Sequence, residues 1–333
     1  MSVATGVGSF PGEDVHEALR VVLGELAPDQ QGLPHLPELP ARGATAQMTG
    51  RALALVAELG ADLQPAGWRL TGGGGGVDQR RARSLLAQDL DALEERAQGA
   101  TGTFKVQVAG PWTLAATVER PRGDKVLADH GARRELAQAL AEGLREHVAD
   151  VRRRLPGVDR LVVQVDEPVL PAVLGGRVPT ASGFGRHRTV HPPEASAALA
   201  WALEAIAGAG AEPWVHGCAA GLPVRLLRGA GAQGISVDLA QLGAADHDAL
   251  AEVLEEGGTV ALGVLPATDP PVAPTDTEVT ESALRWLDML GLDPEETGQR
   301  LVLTPACGLA GASPAWARQA LGLLSSAAGH LSG

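Results

Sequence analysis

Short apolar runs alternate with longer amphipathic stretches along the whole chain, and this rhythm limits the fold more than any other feature. Residues 3–9, 68–70, 104–109, 161–165, 213–216, 235–237, 259–264 and 301–304 read as strands. Between them lie helical stretches at about 15–26, 44–59, 79–97, 194–207, 224–228, 245–256 and 278–290. Another helix carries Leu136, Leu140, Leu144, Val148, Val151 and Leu155 at three- and four-residue steps, one apolar stripe that Pro156-Gly157 ends. Ser313-Pro314 supplies an N-cap and a first-turn proline for the last helix. The run 161–165 is apolar throughout, as a parallel strand covered on both faces requires. Such alternation calls for a parallel sheet. Eight units predict its closure into a (β/α)8 TIM barrel, an α/β fold, as a single domain over residues 1–333. An open doubly wound sheet is the competing arrangement.

No shift in composition marks a second domain. With three Phe, six Trp and no Tyr, core volume has to come from Leu, Val and Ala, and no phenol is available as an acid or oxyanion donor. A formal net charge of -13 argues against a nucleic-acid backbone or an anionic membrane surface as partner. No apolar run reaches the ~20 residues that span a bilayer. Met1-Ser2-Val3-Ala4-Thr5 lacks the basic start and apolar stretch of a secretion signal, so a cytoplasmic location is predicted. In that setting the two cysteines, Cys218 and Cys307, are poor candidates for a structural disulfide. The five glycines at 72–76 are followed by Val77-Asp78 rather than a phosphate-binding lysine, and read as a flexible loop at the barrel mouth.

Candidate chemistry gathers where strands end. Ser9 closes the first strand, Asp166-Glu167-Pro168 follows 161–165, His216-Gly217-Cys218 closes 213–216, Asp238 follows 235–237, and Cys307-Gly308 follows 301–304. In a barrel these C-terminal ends form the rim on which active sites are built. His216 and Cys218 could reach one ion if the strand breaks its alternation at Gly217. With Cys307 they form a soft N,S,S set suited to zinc with one exchangeable position. Asp238 is a candidate fourth, weaker oxygen ligand. The competing explanation is two cysteines acting as small buried hydrophobes beside a hydrogen-bonded core histidine.

Asp166 and Glu167 are adjacent and point oppositely in an extended segment, so they cannot form a facing acid–base pair. One is expected to face the mouth and bind a cationic group, the other to close a salt bridge or cap a turn; two ordinary loop carboxylates are the alternative. His187 and His191 have helical metal-ligand spacing, but Arg186, Arg188 and Pro192-Pro193 mark an irregular loop, and the pair is set aside as a metal site.

Taken in order, these landmarks resemble the catalytic domain of cobalamin-independent methionine synthase, within the uroporphyrinogen-decarboxylase-like barrel superfamily. Val7-Gly8-Ser9-Phe10-Pro11 is similar to the family's homocysteine-binding turn, Gly110-Pro111-Trp112-Thr113 to its Gly-Pro-Val-Thr segment, and Gln164-Val165-Asp166-Glu167-Pro168 to its Gln-Ile-Asp-Glu-Pro. His216-Gly217-Cys218 resembles the His-x-Cys zinc pair, Pro305-Ala306-Cys307-Gly308-Leu309 the last cysteine ligand, and Asp238 stands where the family has a zinc-binding glutamate. The resemblance implies Zn2+ as cofactor, a small thiol such as homocysteine bound by Val7, Gly8, Ser9 and Asp166, and methyl transfer to its sulfur. Several departures accompany it. Where the family has a histidine that protonates the leaving group, this chain has Thr268 and Asp269 as substitutes. After Thr113 it lacks the aromatic that contacts a folate pterin, so the methyl donor is left between methyltetrahydrofolate and a methylcorrinoid. The family's full-length enzyme has a further N-terminal barrel, which is expected to be absent here, where the first strand begins at residue 3. A metal-free decarboxylase-like lyase and a non-catalytic zinc- or thiol-binding barrel are the competing functions.

Overall fold

The computed structural model describes residues 3–27 and 32–331. Its strands are β1 (Val3–Ala4), β2 (Ala61–Gln64), β3 (Gly67–Leu70), β4 (Gly102–Ala109), β5 (Val158–Asp166), β6 (Glu212–Gly217), β7 (Gly234–Asp238), β8 (Thr259–Leu265) and β9 (Leu301–Pro305). The helices are α1 (Val15–Glu25), α2 (Met48–Leu55), α3 (Val77–Arg96), α4 (Pro111–Thr117), α5 (His130–Arg154), α6 (Leu170–Leu174), α7 (Pro192–Gly208), α8 (Val224–Gly229), α9 (Ala244–Glu255), α10 (Asp276–Leu290), α11 (Pro294–Thr297) and α12 (Pro314–Leu331). Seven strands form one parallel sheet in the order β1-β9-β8-β7-β6-β5-β4.

Segment 32–38 joins the two edges of that sheet. It bridges β1 at Ala4↔Gly32, the chain just beyond it at Ser9↔Glu38, and β4 at His35↔Lys105, all in parallel. Leu33 N donates to Ala4 O at 2.7 Å, Leu36 N to Lys105 O at 3.0 Å, and Lys105 N to Pro34 O at 2.9 Å. The expected barrel is therefore present, with one strand position filled differently. Residues 68–70 belong to β3, which pairs antiparallel with β2 in a separate hairpin outside the barrel. The segment that does close the barrel contains Pro34 and Pro37, which have no N–H to donate, so its ladder is interrupted and its sequence lacks a strand's signature.

Inside the barrel, Val3, Leu33, Val162, Trp214, Ala261 and Val302 make a small apolar layer. The larger core lies between the strands' outer faces and the helices, where Phe104, Val106, Val163 and Val165 meet Leu136, Leu140 and Leu199. Among the described residues no helix is long and apolar enough to cross a membrane. The glycine run leads from β3 to the start of α3, where Gly76 is the N-cap.

Candidate active site and metal centre

At the C-terminal ends of the strands a cavity of about 410 Å³ is lined by Val7, Gly8, Ser9, Glu38, Asp166 and His216, with Cys218 and Cys307 beside them. His216 is the last residue but one of β6 and is buried. Its register partner on β7 is Ser236, whose Oγ lies 2.9 Å from His216 Nδ1. His216 Nε2 is buried with no hydrogen-bond partner. When Nδ1–H donates to that hydroxyl, Nε2 offers its lone pair to the cavity, the usual posture of a metal-ligating imidazole.

Cys218 follows His216 by two positions, and residues two apart on a strand share a face. No break in alternation at Gly217 is needed. Cys307 arrives from the loop after β9, both thiols are free, and their sulfurs stand 2.6 Å apart. The ligand atoms of His216, Cys218 and Cys307 all lie within 4.8 Å of one another. Each cysteine's nearest influence is the other: the shared hydrogen bond holds the Cys307 thiol well below its ordinary range and pushes Cys218 up, so the pair readily gives up one proton. A buried orphan imidazole nitrogen beside two converging thiols fits a zinc ion in donor type.

The remaining candidates divide. Asp166 ends β5, level with His216 in the β5–β6 register, and accepts from Gln164 Nε2 at 2.7 Å. Burial pushes its carboxyl up to about 7, against the pull of His216, Gln164 and Lys105. Glu167 points away, wholly buried, and accepts from Trp112 N (2.9 Å), Thr113 N (2.8 Å) and Thr113 Oγ1 (2.8 Å) at the start of α4. A methyl group at Gly110 would strike its carboxylate, so the Gly-Pro-Trp-Thr and Asp-Glu-Pro motifs are two halves of one joint. Ser9 sits against Gly308, where any Cβ would collide with the serine Oγ, and Leu309 N donates to Ser9 O at 2.8 Å.

Asp238 does not join the three-residue ligand group. Its Oδ1 caps the short turn Leu239–Gln241 by accepting from Ala240 N at 2.9 Å. Thr268 and Asp269 are exposed and do not line the cavity. Asp269 is engaged at the start of α12, accepting from Ser313 N (2.7 Å) and Ser313 Oγ (2.5 Å). His187 lies 3.3 Å from Asp124, away from the cavity.

Sequence reasoning passed over Glu38 and Lys105. Glu38 is buried at the cavity wall and paired with Arg51 at 3.1 Å; it lies among prolines, in a stretch given neither strand nor helix from sequence. Lys105 is a buried cation in a mostly apolar strand run, a signal that a polar partner waits within the barrel.

Residues 91–330 match the family described as cobalamin-independent synthase, catalytic domain. The chain belongs to that family. A B12-independent methionine synthase from Shewanella sp. W3-18-1, solved in complex with selenomethionine, shares the fold with a TM-score of 0.64 at 16% identity, over 98% of this chain and 97% of that one. A GH5_18 protein from Streptomyces cattleya in complex with GlcNAc is a looser likeness, with a TM-score of 0.46 at 16% identity over 92% of this chain and 70% of that one. Comparison with curated proteins finds no match. The family match begins at residue 91, so the turn at Ser9 and the wall at Glu38 lie outside it.

Proposed function

We propose that this synthase-family barrel methylates the sulfur of a small amino-acid thiol, homocysteine or a related compound, to give methionine or an analogue. The observation that carries the reading is the orphan Nε2 of His216 pointing at the convergence of two free cysteines, in a cavity that also holds Asp166 and the Val7–Ser9 turn. His216, Cys218 and Cys307 would hold a zinc ion, which when bound supplies a Lewis acid that keeps a substrate thiol as thiolate at neutral pH. Asp166 and the polar turn at Ser9 would hold the amino and carboxyl ends, so that the sulfur points at the metal ligands. Selenomethionine in the Shewanella protein is an amino acid of the proposed product class. The methyl donor is proposed to be methyltetrahydrofolate or a methylcorrinoid, and Thr268 and Asp269 lie too far out to serve as its leaving-group acid without a movement of their loop.

The deciding experiment measures methyl transfer to homocysteine in parallel with methyltetrahydrofolate and methylcobalamin, on protein whose metal content has been determined. About one zinc per chain, lost in Cys218→Ser and in Cys307→Ser, together with turnover of one donor, is the expected result. Absence of zinc after growth and refolding in its presence would defeat the reading. Zinc without turnover of either donor would leave a zinc- or thiol-binding barrel in its place.

A further inference from the structure

Lys105 is wholly buried inside the barrel, where an apolar residue would cost far less. Its Nζ donates to Val7 O at 2.8 Å and to Gln164 Oε1 at 3.1 Å. Gln164 Nε2 in turn donates to the same Val7 O at 2.9 Å and to Asp166 Oδ1 at 2.7 Å. Val7 O thus receives two donors, and Lys105 of β4, Gln164 of β5 and the chain beyond β1 close into one triangle. Val7 and Gly8 line the cavity, as does Asp166, yet β1 and β5 are not neighbours in the sheet. The β ladder relates the turn to the carboxylate only indirectly, through segment 32–38 and β4. The lysine and glutamine span the barrel interior between them, and the Lys105 ammonium balances the two cavity carboxylates, Asp166 and Glu38.

We infer that Lys105, acting through Gln164, is a positioning residue that sets the Val7–Ser9 turn and Asp166 in one geometry for binding the amino-acid part of the substrate. This rests on the reading of the cavity as an amino-acid thiol site. The lysine touches no reacting atom, so its loss should weaken binding without slowing the step at sulfur.

The experiment compares wild type with Lys105→Met, a neutral chain of similar length, in two arms. In protein without ligand, amide hydrogen exchange is followed at Phe10, Glu38 and Leu309, which donate to Glu38 O, Gly8 O and Ser9 O. Exchange at these three amides should quicken by about tenfold or more, while Thr259, bonded to Gln233 O across β7–β8, keeps its rate. With L-methionine and L-homocysteine as probes, Kd and KM should rise roughly 10- to 100-fold while kcat stays within about threefold and zinc content is unchanged. Wild-type protection at the turn together with wild-type affinity would overturn the inference, as would a fall in kcat with KM unmoved. If wild type itself binds neither amino acid, the proposed function fails and the exchange arm alone decides whether Lys105 holds the turn. Should Lys105→Met not fold, Gln164→Leu breaks the triangle from its other side, and the same three amides must loosen for the inference to stand.

Discussion

At His216 the hydroxyl of Ser236 occupies one ring nitrogen and leaves the other to the cavity, so the neighbouring strand decides what the imidazole can bind. Ser236→Ala should therefore weaken zinc affinity by roughly tenfold or more without removing a ligand, measured by competition with a chromophoric chelator. Asp238→Ala should weaken it less than either cysteine change, because this carboxylate already caps its own turn; equal loss would make it a full ligand. Asp269→Ala should lower the unfolding midpoint through the lost cap on α12 and leave methyl transfer unchanged, since its carboxylate faces Ser313 at the surface. A large fall in turnover instead would mean that the loop carrying Thr268 and Asp269 swings over the cavity.

Elements meet here through carboxylates as much as through apolar faces. Glu167, from the end of β5, caps α4 with both oxygens, and Glu38, from the barrel-closing segment, is held by Arg51 of α2. Arg51 also pairs with Asp89 of α3 at 2.6 Å, and Asp89 pairs with Arg42 at 2.7 Å. All but Arg42 in this chain of charges are buried. Arg51→Met should cost about 3 kcal/mol in chemical denaturation, because it strands Glu38 and part of Asp89 in low dielectric. The exposed pair Arg225–Glu252, joining α8 to α9, has geometry as good at 2.6 Å, yet Arg225→Ala should leave the midpoint where it is. Burial, not distance, separates the two cases.

At the scale of the whole molecule, one contribution to acid sensitivity comes from a buried group outside the cavity lining. Burial, with Arg51 nearby, drives His147 on α5 down to about 4. An unfolded chain takes up that proton near its ordinary 6.5, so the stability His147 contributes is full above about 6.5 and is lost as pH falls toward 4. His147→Leu should abolish a loss on the order of 3 kcal/mol across that window, read as the pH dependence of the unfolding free energy. The barrel and most of its helices were legible in advance because 3.6-residue and continuous apolar periods record which faces are buried, and α1, α3 and α10 fall where those periods place them. His216, Cys218 and Cys307 were legible because soft ligands at strand ends are local features of the chain. The closing segment was not: Pro34 and Pro37 erase the strand pattern, and only contact with β1 and β4 gives it that role. Asp238, Thr268 and Asp269 were drawn toward the site by their place in the sequence, but Asp238 caps its own turn, Asp269 is engaged by Ser313 at the start of α12, and Thr268 is exposed outside the cavity lining. Periodicity and residue type thus pointed to the barrel and to three soft donors at strand ends, since both are written in near neighbours, while the meeting of Cys307 with His216 and Cys218 is tertiary. Which carboxylate faces the cavity, and which buried cation steadies it, was decided only when Val7 and Gln164, 157 residues apart in sequence, met across the barrel.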